Sequence, residues 1–465
     1  MRRCPPFLLL LALFLFPGHT TAAPVGNIPA TAPEVLSPPE RLVYPPLEFE
    51  VPQAERFQTG NGITVYFLQD REVPIVNIQV FVKAGSLQDP KGKEGLAELT
   101  AVVMRTGGIR DMPGRTVDEK LELLAAEVNL AAGRETITAS LSVLKKDLEE
   151  GLAIFSGILR HPVFEEKRLG LAKALTKEDL RRVADDPDRF AFREFSRFFY
   201  RGSPWGRLSS LGSIDAIGRQ DLVLYHERFF HPRNLWIAVS GDLSREEVQS
   251  ALERRFGSWT APATPTTEIP PPISNSRGIR LLSRKLSQSV VIVGHPAPPK
   301  SAPDFHTFEV LDFLLGSGGF SSRIFQEVRT DRGLAYSAGS FYRARLTHGL
   351  FGAYALTRTD STLPVLKLLE EILAESSQTD FSATELQLAK DSLINRFIFS
   401  FQSTEQIVRN RLLVEFDRLP SDFLETYREK IRRVTLRNLQ AAANRWLDAD
   451  RSSILVLGDP EGFSG

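Results

Sequence analysis

The chain has 465 residues, of which 42% are hydrophobic, 25% charged and 9% aromatic, a composition that excludes a disordered chain, a collagen-like chain and a polytopic membrane protein. Lys plus Arg and Asp plus Glu each number 57, so no global positive field exists to hold nucleic acid. The length exceeds what one hydrophobic core serves, and the single cysteine, Cys4, excludes internal disulfides, zinc ribbons and thiol redox pairs.

The chain opens with Met1-Arg2-Arg3, ten apolar residues from Phe7 to Phe16, the breaker Pro17-Gly18 and the small residues Thr20-Thr21-Ala22-Ala23. This order predicts a secretory signal peptide over residues 1–23, cleaved after Ala22 or Ala23, and a protein secreted across an inner membrane into a bacterial periplasm. Its apolar run is shorter than the roughly 20 residues that span a bilayer, and no second run of that length follows. No membrane span is therefore expected after cleavage. Loss of Cys4 with the signal and the lack of any Asn-x-Ser/Thr sequon suit that compartment. Residues 24–54, with Pro39, Pro45 and Pro46, read as a Pro-rich N-terminal arm.

Two segments then repeat. Gly62-Ile63-Thr64-Val65-Tyr66 opens a strand, followed by the alternating, β-branched run Ile75–Val82. Gly278-Ile279-Arg280-Leu281-Leu282 opens another strand 216 residues after Gly62, followed by Ser289–Val293. Late in the first copy stands Asn234-Leu235-Trp236-Ile237-Ala238-Val239-Ser240-Gly241-Asp242, and the last strand of the chain, Ser453-Ile454-Leu455-Val456-Leu457-Gly458-Asp459, places its Gly-Asp 217 residues later. Nearly equal offsets at both ends of a unit predict a duplicated domain. The copies are bounded at 55–258 and 277–460, joined by a linker over 259–276 whose prolines cannot enter a helix or a central strand. Helical periodicity covers Asp118–Glu127, Lys145–Leu159, Glu165–Val183 and Gln220–Phe230 in the first copy, and Leu363–Glu375, Ala383–Ser400 and Leu436–Leu447 in the second. Strands with clustered helices predict an α+β fold, each copy a mostly antiparallel sheet with helices packed on it.

Residue chemistry alone supplies no self-sufficient catalytic set. His226-Glu227-Arg228-Phe229-Phe230-His231 spaces its histidines by five, which rotates the second side chain about 140° from the first on a helix. A helical zinc pair needs them four apart, so these read as structural. His161, His295, His306 and His348 stand without a second ligand at metal spacing. Gly316-Ser317-Gly318-Gly319 lacks the Gly-Lys-Ser/Thr of a phosphate loop, and no Gly-x-Ser-x-Gly elbow occurs.

Two further segments carry a family likeness. The first is Gly85-Ser86-Leu87-Gln88-Asp89-Pro90-Lys91-Gly92-Lys93-Glu94-Gly95-Leu96-Ala97; the second is Ser322-Arg323-Ile324-Phe325-Gln326-Glu327-Val328-Arg329, then Gly333-Leu334-Ala335-Tyr336-Ser337. In this order, on the two copies, they resemble the pitrilysin-type inverzincin metallopeptidases, which include the mitochondrial processing peptidase. The resemblance spans about residues 55–460. In that family the first segment leads into His-x-x-Glu-His. Here Glu98-Leu99-Thr100-Ala101-Val102 follows, so Glu98 and Val102 replace the two histidines and Ala101 replaces the general base. The third ligand of the family falls near Glu178-Asp179. Zinc needs lone-pair ligands and its water needs a proton acceptor, and Ala101 and Val102 offer neither. No metal site, and no zinc in this chain, is expected.

Arg329 and Tyr336 match the pair by which the family's second domain reaches the active site. Taken singly, Arg329 reads as a surface cation near a helix end and Tyr336 as a half-buried strand aromatic. Taken together, the resemblance implies that Arg329 holds a substrate carbonyl or carboxylate and Tyr336 donates to an oxyanion. It implies a non-zinc subunit of a secreted heteromeric zinc peptidase, inactive alone, forming half of a clam-shell. Its partner would be a homologous subunit carrying the zinc, and its substrate a peptide or unfolded polypeptide. The alternative is a non-enzymatic homologue of the same fold that binds peptides or scaffolds an assembly.

Overall fold

A computed structural model describes residues 48–261, 277–378 and 381–464. The segment read as a signal peptide, most of the Pro-rich arm and most of the linker lie outside these residues. Eleven strands form two sheets among the described residues: β1 (Glu55–Gln58), β2 (Thr64–Gln69), β3 (Ile75–Val82), β4 (Glu127–Ala132), β5 (Ile137–Leu144) and β6 (Leu235–Gly241), then β7 (Gly278–Ser283), β8 (Gln288–Ala297), β9 (Ala335–Ala344), β10 (Gly349–Arg358) and β11 (Ser453–Gly458). The first sheet runs β1-β2-β6-β3-β5-β4 and the second β7-β11-β8-β10-β9. In each, the last strand of the half pairs in parallel with the opening strand, β2 with β6 and β7 with β11, and every other pairing is antiparallel. Apart from the extra edge strand β1, the two strand orders are the same, so the fold is a duplicated α+β unit.

The Gly-Asp ends that disclose the repeat have a packing cause. A side chain on Gly241 would meet the Ile75 carbonyl oxygen at 2.2 Å, and one on Gly458 would meet Ser289 Oγ at 2.2 Å. In both halves the last strand ends hard against the strand that follows the opening one, and only glycine fits.

Five helices place the candidate residues and join the halves: α1 (Leu96–Thr106), α2 (Glu166–Arg182), α3 (Pro187–Phe199), α4 (Phe305–Asp312) and α5 (Thr404–Phe416). Most of the predicted helical runs match helices to within a few residues. The run Asp118–Glu127 does not: the helix spans Gly114–Leu123 and β4 begins at Glu127. Ala125 takes a left-handed φ of 47°, and the Ala126 amide reaches back to the Leu121 carbonyl at 2.9 Å, a closure that stops the helix.

The two halves exchange helices. α3 starts 217 residues before α5, and both are 13 residues long. Each is capped from the residue before it, Asp186 accepting from the Arg189 amide and Ser403 from the Gln406 amide. α3 belongs to the first half but lays Ala191, Phe195 and Phe199 on Val290, Ile292, Leu455 and Leu457 of the second sheet. The Phe195 ring enters where β8 carries Gly294, whose missing side chain would stand 2.2 Å from Phe195 Cζ. α5 belongs to the second half and packs Val408, Leu412 and Phe416 against Phe81, Trp236 and Ala238 of the first sheet. Glu415 adds a tether, accepting from Arg56 at 2.7 and 2.9 Å and from Tyr66 Oη at 2.9 Å. The described residues from Phe49 onward accordingly form one compact unit.

Phe195→Ala should therefore destabilise the whole molecule. Truncating a fully buried phenylalanine costs about 3–5 kcal/mol. Urea unfolding followed by circular dichroism should show one transition at lower denaturant; an unchanged midpoint, or a second half that unfolds separately, would contradict the exchange as the source of cooperativity.

Candidate functional site

The motif helix α1 is built by the segment before it. Gly95 has φ 104°, and a side chain there would meet Ile214 Cδ1 at 2.5 Å, so glycine is required at the entry. Asp89 closes the helix start with both oxygens, accepting from the Gly95 amide at 2.8 Å and the Ala97 amide at 2.9 Å. Burial pushes its carboxyl up to about 7 against the pull of those amides and of Arg207. The Gly85–Ala97 run thus aims α1 with or without a metal.

What α1 presents does not fit zinc. Ala101 is 1% exposed and faces the first core, whereas Val102 is 38% exposed. Glu98 keeps solvent contact, and its carboxyl is raised above its ordinary value by desolvation first and by Asp179 of α2 second, with Arg193 and Arg189 opposing. Asp179 is already engaged: Arg189, on α3, donates to its two oxygens at 2.9 and 2.7 Å. Those hydrogen bonds hold Asp179 below the usual carboxylate range. Glu178 is taken by Arg182 at 2.8 Å. Arg193 donates to the Ser209 carbonyl. Two arginines and two carboxylates gather beside the motif helix, and exposed Leu171 and Leu175 continue the face along α2.

The five-spaced histidine pair is structural. His226 is buried, bonds the Leu159 carbonyl through Nε2 at 2.8 Å and stacks on Phe230. Burial lowers its pKa to about 4.

The second half brings Arg329 and Tyr336 together. Arg329 lies in a π-helix, Phe325–Asp331, a form that recurs at functional sites. Gly333, at φ 59°, turns the chain into β9, where Tyr336 is the second residue. Thr357 pairs with Ala335 and Leu356 with Ser337, so Tyr336 is the unpaired residue of a β-bulge. A bulge re-aims its side chain, and Tyr336 is 80% exposed rather than half-buried. The Arg329 guanidinium carbon lies 5.1 Å from the centre of the Tyr336 ring and 4.8 Å from that of Phe325, a cation held between two aromatic faces. Phe320, 74% exposed, continues the row with its ring 4.7 Å from Phe325. Neither Arg329 nor the Tyr336 hydroxyl makes an ion pair or hydrogen bond among the described residues. The sequence reading missed Phe320, Phe325 and Arg189; the spacing of four between Phe325 and Arg329 was the available signal for one of them.

Two like α+β halves carry the two features, Glu98, Ala101 and Val102 on the motif helix of the first and an exposed Arg–Tyr pair in the second. The family profile described as "Insulinase (Peptidase family M16)" matches residues 64–209, and that described as "Peptidase M16 inactive domain" matches residues 216–393. The chain belongs to this pitrilysin-type M16 peptidase family. An "Uncharacterized zinc protease" of Rickettsia bellii is 22% identical over 416 residues, covering 87% of this chain and 97% of the relative. Another of that description, from Bacillus subtilis, is 23% identical over 352 residues, 75% of this chain and 85% of the relative. Among solved structures, the peptidase M16 inactive domain from Pseudomonas fluorescens superposes with a TM-score of 0.79 at 25% identity, covering 88% of this chain and 98% of that one. A protease from Helicobacter pylori gives a TM-score of 0.78 at 17% identity, covering 88% and 100%.

Restoring the motif with Glu98→His, Ala101→Glu and Val102→His should yield at most weak zinc binding. Ala101 is buried against the first core, where a carboxylate is costly to place, and Arg189 keeps Asp179 paired. Loss of groups that orient metal ligands typically costs 10–100-fold in affinity. Zinc titration calorimetry on the triple variant checks this; tight stoichiometric binding would show that the fold still holds a competent ligand frame.

Proposed function

We propose that this chain is the non-zinc subunit of a secreted heteromeric zinc peptidase, forming half of a clam-shell chamber for peptides or unfolded polypeptides. The observation that carries the reading is the Arg329–Tyr336 pair. It is presented to solvent by a π-helix and a bulge, its polar groups are without partners among the described residues, and it stands on a chain whose first half does not fit a metal. Family membership and the zinc-protease names of the relatives support the same reading. The signal-like residues 1–23 support secretion, and among the described residues no helix is long and apolar enough to cross a membrane.

The partner subunit supplies the zinc chemistry. On this chain, the Arg329 fork donates two parallel hydrogen bonds to a substrate carbonyl or carboxylate. Phe325 and Tyr336 hold the guanidinium between their faces, which limits its rotamers before substrate arrives. Tyr336 donates its hydroxyl proton to the oxygen that gains charge as the peptide carbon becomes tetrahedral. A donor fixed in place needs no reorganisation at that moment.

Tyr336→Phe removes that donor and keeps the ring over Arg329. In the complex reconstituted with the zinc subunit, turnover should fall by about 100–1000-fold, the usual effect of losing one oxyanion donor. Arg329→Ala should raise KM as well as lower kcat. Heteromer formation and zinc content should be unchanged in both. Full activity in both variants would contradict the assignment.

A further inference from the structure

Away from the Arg329–Tyr336 face, a second group of cations gathers where the halves meet. Trp205 lies at its centre, in the turn Pro204–Gly206 of the first half, 3% exposed, with its indole nitrogen buried and lacking a hydrogen-bond partner. Arg134, from the β4–β5 hairpin, donates to the Trp205 carbonyl. Arg345, from the β9–β10 hairpin of the second half, holds its guanidinium carbon 5.7 Å from the centre of the Trp205 ring. The same hairpin turn is closed by the Arg345 amide and the His348 carbonyl at 2.7 Å. The His348 ring centre is 4.3 Å from that of Trp205, and its Nε2 is also buried without a partner. Tyr200 completes the wall, its ring 6.0 Å from Trp205 and 5.6 Å from His348.

Charge and hydrogen bonding are both unbalanced here. Glu135 answers Arg345 at 3.0 Å. Arg343 has no ion pair or hydrogen bond among the described residues and packs its guanidinium 5.0 Å from the Phe341 ring centre. Arg134 is depressed by burial first and then by Arg345, with Arg343 and Arg193 adding to it, while Tyr200 opposes. Arg343 keeps solvent exposure, and partial desolvation first and Arg345 second depress it. Burial and Arg345 together lower His348 to about 4, so its imidazole is neutral. Like charges held close cost free energy that a bound anion would recover.

We propose that this junction is a carboxylate subsite for peptides, with Arg134, Arg343 and Arg345 as the cations and the rings of Trp205 and His348 as its wall. Guanidinium forks suit the planar, two-oxygen geometry of a carboxylate. The carboxylate comes from the peptide C-terminus or from an Asp or Glu side chain, which share this chemistry. The inference rests on the chain's handling of peptides and not on hydrolysis at a partner's metal, so its test uses this chain alone.

Three N-acetylated peptides of one neutral sequence separate the possibilities in titration calorimetry: the C-terminal amide, the free C-terminal carboxylate, and the amide with one internal Glu. At least one acidic peptide should bind roughly tenfold or more tighter than the neutral amide, as one charge-assisted hydrogen-bonded contact provides, and which one does so names the source of the carboxylate. Arg343→Gln, which breaks no ion pair, should reduce that preference toward parity, and Arg345→Gln should do the same, with thermal unfolding confirming that each variant is folded. Equal or undetectable binding of all three peptides overturns the proposal, as does a preference that survives in both variants. Either result leaves the Tyr336→Phe experiment standing, because that experiment reads turnover in the heteromer.

Discussion

The exchange of α3 and α5 between the halves is the constraint on which the rest of the structure depends. Each half could cover only one face of its own sheet with its own helices. The other face is covered by a 13-residue helix borrowed from its twin, Phe195 and Phe199 on the second sheet and Leu412 and Phe416 on the first. Apolar side chains buried in this way contribute about 1.5–3 kcal/mol each. Neither sheet can keep that contribution if the other half opens, so everything carried on the two sheets is held in a fixed relation. That includes the motif helix, the Arg329–Tyr336 pair and the arginine cluster around Trp205.

Within this shared frame the halves have diverged in chemistry more than in architecture. α3 also carries Arg189 and Arg193, so the helix that joins the halves supplies the cations beside Glu98 and Asp179. A bidentate Arg–carboxylate pair satisfies Asp179 without a metal. The second half has gone the other way. Its π-helix and bulge give up regular hydrogen bonding to present Arg329 and Tyr336, which meet through a cation–π contact and make no ion pair or side-chain hydrogen bond among the described residues.

Much of this was legible in the sequence, for identifiable reasons. Gly241 and Gly458 disclosed the duplication because each ends a strand where no side chain fits. The departure from the zinc motif could be read because Ala101 and Val102 lack ligand atoms in any fold. The hairpins β4–β5 and β9–β10 went unread. Their outward residues, such as Thr138, Ser140 and Ser142, are small and polar and weaken the apolar alternation of β5. The exchange itself was invisible because Phe195 and Phe416 face a sheet built from distant sequence. The bulge at Tyr336 depends on what Leu356 and Thr357 pair with across β10, and the Arg189–Asp179 pair on two helices meeting beside a third. The group around Trp205 draws on hairpins more than 200 residues apart, as the Arg345–Glu135 pair shows.

In the proposed function the first half holds no zinc of its own, and the metal that Arg329 and Tyr336 work beside belongs to a partner subunit. Elemental analysis of the purified chain after equilibrium dialysis against zinc tests this most directly. No stoichiometric zinc is expected on the chain by itself; one tightly held zinc per chain would contradict the proposed function.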